Sequence, residues 1–211
     1  VLVVWGGWDG HQPKIFADIV VKWLESKNAE IHRSNDLSIY DEYESLVKFD
    51  LIIQSVTMGE ITGTQIKNLT KAVRSGVGIA GAHGGLGDSF RNSTPYQFMI
   101  GGQWVEHPGG KVKFEVNMID DDLTQNLNDF EIFSEQYYMH YDPNIDIIAT
   151  TKFDGKTYPW IEDVLMPVAW KKHYGKGKVF YISIGHDPNE FVQHQDAWKL
   201  LTRGFIWSTR D

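Results

Sequence analysis

Up to about residue 85 the chain alternates short apolar runs with segments of helical period. Val1-Leu-Val-Val-Trp5 stops at Gly6-Gly7 and reads as a buried strand. Pro13 suits the first turn of a helix, and Ile15, Phe16, Ile19, Val20, Trp23 and Leu24 then recur at helical spacing to about Lys27. Glu30–Arg33 and Asp50–Val56 are the next strands. Thr64 is placed to cap a helix that carries Ile66, Leu69, Ala72 and Val73 and ends at Gly76. Val77 to Ala82 is small and apolar throughout, as a fully buried central strand is. Strands and helices alternating at this interval predict right-handed βαβ units and a parallel sheet with helices on both faces.

Beyond residue 100 the pattern changes. Lys111-Val-Lys-Phe-Glu-Val116 alternates polar and apolar, the signature of a half-buried antiparallel strand. Phe130–Phe133, Ile145–Thr151, Met166–Trp170 and Lys178–Ile184 are further strands, and Trp198, Leu201, Phe205 and Ile206 mark an amphipathic closing helix. No linker, repeat or low-complexity stretch interrupts the chain. The reading is one α/β domain over residues 1–211, with a central, mostly parallel sheet and an antiparallel excursion in its second half.

Composition narrows the chemistry. The chain has 211 residues, no cysteine and a net charge of −8, so disulfides, thiolate metal sites and cysteine nucleophiles are excluded. The acidic balance gives no basic footprint for nucleic acid. Apolar runs fall short of the ~20 residues of a membrane span, so no membrane insertion is expected. No signal-peptide pattern is visible, which favours the cytoplasm, with the periplasm or exterior open if a leader was removed.

Two motifs mislead. Gly76-Val-Gly78-Ile-Ala-Gly81 matches a dinucleotide fingerprint, but its glycines follow a helix and lie within a strand, so no nucleotide cofactor is expected. Gly175-Lys-Gly-Lys178 lacks the Ser/Thr of a phosphate loop and leads into a strand. The Asn68 and Asn92 glycosylation triplets carry no weight.

The chemistry concentrates at histidines. His83 stands where the central strand breaks into Gly84-Gly-Leu-Gly87. His11, His107 and His186 occupy similar Gly- or Pro-rich junctions, on the side where an open α/β sheet forms its ligand crevice. An imidazole there is a candidate acid, base or metal ligand. His32, His140, His173 and His194 have ordinary surroundings and read as surface or satisfied core residues.

Taken in order, Gly6-Gly-Trp8…His11, Gly78-Ile-Ala-Gly-Ala-His83, Gly101-Gly-Gln-Trp104…His107-Pro, Glu135-Gln-Tyr-Tyr, Pro167-Val-Ala-Trp170, Tyr174-Gly-Lys-Gly-Lys-Val-Phe-Tyr181 and Ser183-Ile-Gly-His186 resemble the trehalose-utilisation, ThuA-like family over nearly the whole chain. The resemblance implies a flavodoxin-like three-layer sandwich similar to class I glutamine amidotransferases. In those enzymes the elbow after the central strand carries a nucleophilic cysteine. Here that stretch is Ala80–His83, so a thioester-forming glutaminase is excluded. His186-Asp-Pro-Asn-Glu190 resembles the segment that supplies their base. The family's acidic pair before the tyrosine is Ser134-Glu135 here, leaving one carboxylate.

The resemblance implies a carbohydrate-metabolism enzyme acting on a sugar or keto-sugar. The residues fit proton transfer of isomerase, epimerase, lyase or hydrolase type, with His83, His186 and Glu135 as catalytic candidates. Trp8, His11, Trp104, His107 and Tyr137, with Trp5 as a further aromatic, are candidates for substrate binding. Two alternatives stand beside this. One is a metal-assisted site, zinc or manganese, drawing on His11, His83, His107, His186 and Glu135. The other is a non-catalytic sugar-binding or regulatory module that keeps the cleft. The expected partner is a small carbohydrate, and homo-oligomerisation is left open.

Overall fold

The computed structural model describes residues 1–210. Its first half runs β1 (Leu2–Gly7), α1 (Pro13–Ser26), β2 (His32–Ser34), α2 (Tyr43–Leu46), β3 (Leu51–Thr57), α3 (Gly63–Ser75), β4 (Gly78–Ala82), α4 (His83–Gly87) and α5 (Thr94–Ile100). The second half comprises β5 (Gly102–Glu106), β6 (Lys111–Met118), β7 (Phe130–Glu135), β8 (Tyr138–Tyr141), β9 (Asp146–Lys152), β10 (Leu165–Tyr174), β11 (Gly177–Ile182), α6 (Asn189–Gln193) and α7 (Gln195–Ser208).

Nine strands form one sheet in the order β2-β1-β3-β4-β11-β10-β9-β6-β7. The first five are mutually parallel, and β10, β9, β6 and β7 continue antiparallel. The fold is therefore the flavodoxin-like α/β sandwich, with β4 inside the parallel half. Strand alternation explains the layers. Val3, Leu51, Ile53, Ala80, Ala82, Phe180 and Ile182 face one way, against Phe16, Val20 and Leu24 of α1 and Leu200, Leu201 and Phe205 of α7. Leu2, Val4, Ile52, Val56, Ile79 and Val179 face the other, against Leu69 and Val73 of α3 and Tyr96, Met99 and Ile100 of α5.

Several local expectations are corrected. Thr62, not Thr64, caps α3, because its hydroxyl accepts from the Gln65 N–H while Gln65 reaches back to the Thr62 N–H. Ile15 and Ile206 are exposed, so the apolar stripes of α1 and α7 are narrower than the sequence period suggested. The small antiparallel β5–β8 pair was not anticipated. Its residues include glycine, histidine and tyrosine in no strict alternation. Among the described residues, no helix is long and apolar enough to cross a membrane.

Candidate functional site

Three parallel strands deliver three imidazoles to the carboxyl edge of the sheet. β1 ends in a turn that holds His11, β4 ends at His83, and β11 is followed by His186. His83 is the elbow itself, with φ of 48°, in the left-handed region that L-residues seldom occupy. A non-glycine residue held there costs on the order of 1–3 kcal/mol, so the surroundings must impose it. A buried polar network fixes the turn from beneath. Tyr40 donates to Gln54, Gln54 donates to Ser89 and Tyr96, and Ser89 and Tyr96 donate to the carbonyls of Gly85 and Leu86 in α4.

Gly84 sets the spacing above the elbow. A Cβ there would lie 2.5 Å from Nδ1 of His11, so only glycine lets that ring pack on the turn. His11 Nδ1 sits 3.0 Å from the Thr57 hydroxyl, and its ring meets His83 edge-on at 4.6 Å.

Glu135 arrives from the opposite side of the sheet. It closes β7, the outermost strand, whose partner β6 joins β9 only through Asn117 and Met118. The Lys111–Glu135 end of the β6–β7 ribbon therefore lies beyond that pairing and reaches the histidines. Glu135 Oε2 is 3.1 Å from His83 Nε2, 3.2 Å from His186 Nδ1 and 3.8 Å from His11 Nε2, and Oε1 is 3.9 Å from His107 Nε2. Burial opposes the charge on Glu135, but contacts from His11, His186 and His83 outweigh it and hold the carboxyl far below its usual range. Burial lowers the His83 pKa to about 4 although Glu135 pulls it upward. His83 is therefore neutral and Glu135 anionic near pH 7. Tyr137 stacks on the His83 ring at 4.1 Å and places its hydroxyl 2.8 Å from Nε2. Burial pushes that hydroxyl well above its usual pKa, so it stays protonated.

A cavity of about 150 Å³ opens over this cluster, lined by Trp8, His11, Met58, Asp88, Arg91, Trp104, His107, Glu135 and Tyr137. It shares Met58 and Arg91 with a wider groove of about 540 Å³ between the loops that lead into α3 and α5. His83 and His186 are not among the cavity's lining residues; His83 is buried, whereas His186 keeps 22% of its side chain exposed. His107, just past β5, keeps 36% of its side chain exposed. Trp8 is 48% exposed at the rim.

The structure thus brings together His11, His83, His186, Glu135, His107, Tyr137, Trp8 and Trp104. It leaves Trp5 outside the cavity, beneath the Arg33 guanidinium at 5.0 Å. Glu190 turns to the Asp187 N–H and to Lys111, 3.6 Å away. His32, His140 and His173 are exposed and His194 is half-buried. Sequence reasoning missed Asp88 and Arg91. Buried Asp88 receives two bonds from Arg91, at 2.6 and 2.7 Å, and the guanidinium covers the Trp104 ring at 4.6 Å. Their i, i+3 spacing directly after the glycine-rich elbow was the available signal. Thr57 and the Ser183 carbonyl, which orient His11 and His83, left none.

A family model named ThuA, described as trehalose utilisation, matches residues 1–208. Among solved structures, a ThuA-like protein from Bacteroides uniformis superposes with a TM-score of 0.76 at 18% identity, covering 98% of this chain and 89% of that one. A ThuA-like protein from Parabacteroides merdae gives 0.76 at 16% identity, covering 98% and 88%. A cytoplasmic protein from Salmonella typhimurium gives 0.67 at 12% identity, covering 91% and 86%. Among curated proteins, none matches in sequence.

Proposed function

The chain belongs to the ThuA family, described as trehalose utilisation and hence tied to sugar metabolism, and on that premise we propose that it is an enzyme acting on a sugar or keto-sugar by proton transfer next to a carbonyl. One observation carries the reading. Three imidazoles surround a single buried carboxylate at the edge of the sheet, and two of these groups, His11 and Glu135, line a cavity rimmed by tryptophan. Simple sugar binding does not call for buried titratable groups at that density.

Roles follow from access. His83 has both ring nitrogens engaged and is 2% exposed, so it positions its neighbours and does not meet substrate. His107 lines the cavity with its ring partly open and is the group we assign to carry the proton. Glu135 and His11 form the polar wall. Trp8 and Trp104 offer faces for a pyranose ring, and the buried Trp104 Nε1 and His107 Nδ1 have no partner among the described residues, as donors or acceptors for sugar hydroxyls would be. The cavity is smaller than the about 300–1,000 Å³ of drug-sized ligand sites, which suits one ring, with the neighbouring groove free for the remainder.

Incubation with 3-keto-glycosides in deuterated water tests the proposal. Label entering the carbon beside the ketone, followed by NMR, is the expected result. Neither exchange nor conversion over a panel of keto-sugars, with and without added zinc or manganese, while sugars still bind, would favour the non-catalytic module.

A further inference from the structure

His83 has no freedom of tautomer. Its Nδ1 lies 2.7 Å from the Ser183 carbonyl oxygen, which only accepts, so Nδ1 carries the hydrogen. Nε2 is then the ring's acceptor nitrogen, 3.1 Å from Glu135 Oε2 and 2.8 Å from the Tyr137 hydroxyl.

The other donor atoms repeat the arrangement. His186 Nδ1 is 3.2 Å from the same oxygen. His11 gives Nδ1 to Thr57 and turns Nε2 towards Oε2 at 3.8 Å. One donor atom from each of His11, His83, Glu135 and His186 can be chosen so that all four lie within 4.8 Å of one another. In a tetrahedral site with bonds of 2.0–2.1 Å, neighbouring ligand atoms sit about 3.3–3.4 Å apart, close to the two short separations here.

We propose that His11 Nε2, His83 Nε2, His186 Nδ1 and Glu135 Oε2 bind a divalent transition-metal ion, zinc or manganese. The Ser183 carbonyl and the Thr57 hydroxyl serve as the outer partners that fix each imidazole, the pattern general to metal-bound histidine. Three neutral imidazoles and one carboxylate would leave a divalent ion a net positive charge, and a carbonyl or hydroxyl oxygen entering from the cavity would have to join as a fifth ligand. On binding, the Tyr137 hydroxyl gives up Nε2 to the ion. The inference deepens the enzymatic reading and rests on it only for the role of the ion, not for its binding.

The test uses the whole chain, stripped with chelator and then titrated with Mn²⁺ by electron paramagnetic resonance and with Zn²⁺ by calorimetry. One ion per chain with micromolar or tighter affinity is expected. Glu135→Gln and His186→Gln should each weaken binding by about a hundredfold or more, and Thr57→Val by about tenfold. His107→Gln, outside the donor set, should bind as the wild type does. A folded wild-type chain that takes up no ion at about millimolar concentration overturns the proposal, as does binding indifferent to Glu135→Gln and His186→Gln. Stoichiometric binding without exchange on any keto-sugar would sink the enzymatic reading and leave the metal site standing. Exchange by a chain that binds no metal would do the reverse.

Discussion

His83 Nε2 and Glu135 Oε2 lie 3.1 Å apart, although 52 positions separate the residues and their strands occupy the fourth and ninth places of the sheet. The contact exists because the β6–β7 ribbon leaves the sheet after two residues of pairing with β9. It joins the parallel half, which supplies the histidines, to the antiparallel half, which supplies the charge.

Substitutions at two of the histidines should have different consequences. His107→Gln should lower turnover by about 10²–10⁴ with the melting temperature within a few degrees of wild type, since its side chain is partly open. His83→Gln should lower both activity and stability, the latter by about 1–3 kcal/mol, because it orphans the Ser183 carbonyl inside the protein. Kinetics and thermal melts on the pair check this; equal stability losses would count against the assigned roles.

Gly84→Ala should damage the site through packing alone. Its Cβ would stand 2.5 Å from the His11 ring, so the ring must leave the Thr57 hydroxyl. Activity is expected to fall at least about tenfold, with a stability loss of about 1–3 kcal/mol. Gly63→Ala, where a Cβ meets nothing within 4 Å, is the matched control and should be silent.

Gln54→Leu should unsettle the elbow from below. It removes the acceptor of the Tyr40 hydroxyl and a donor to Tyr96 and Ser89, all of them buried. A loss of about 2 kcal/mol or more is expected by denaturant titration, with a weaker hold on the α4 turn. An unchanged midpoint would mean that the network is dispensable to the elbow.

The Asp142–Lys172 pair makes an acid-stability prediction. The hydrogen bond from Lys172 is the main cause that holds the Asp142 carboxyl below its ordinary value. A carboxylate depressed in the folded state adds stability that is fully present above the unfolded pKa, ~3.9, and is lost as pH falls through the folded value. Stability should therefore drop on acidification below about pH 4, and Asp142→Asn should flatten that limb. At neutral pH the substitution strands the buried Lys172 ammonium, which keeps the Phe98 carbonyl, and costs roughly 2–3 kcal/mol. Denaturation midpoints from pH 7 to 2 for both proteins decide it.

Much of the fold was legible in the chain because its signals are local. Val77 to Ala82 has no polar side chain, so it could only be a strand covered on both faces, and α1 and α7 announce their buried stripes through their period. The absence of cysteine likewise closed the thioester route without any coordinates. Short elements were not legible. β5 and β8 pair only with each other, and nothing in Gly102–Glu106 or Tyr138–Tyr141 states which partner will accept their hydrogen bonds.

The junction histidines could be picked out one by one, since strand ends and glycines are marked in sequence. What brings Glu135 to them is the departure of a ribbon from its sheet, a property of twist and pairing register that no single residue encodes. The same holds for access. Sequence ranked His83 and His186 first because of their positions after β4 and β11, yet packing buried His83 and put His107, not His83 or His186, in the cavity lining. Residue types and strand order determined which groups could meet at the sheet edge; the close packing of β7, α4 and the Thr57 turn decided which of them touch each other and which face the cavity.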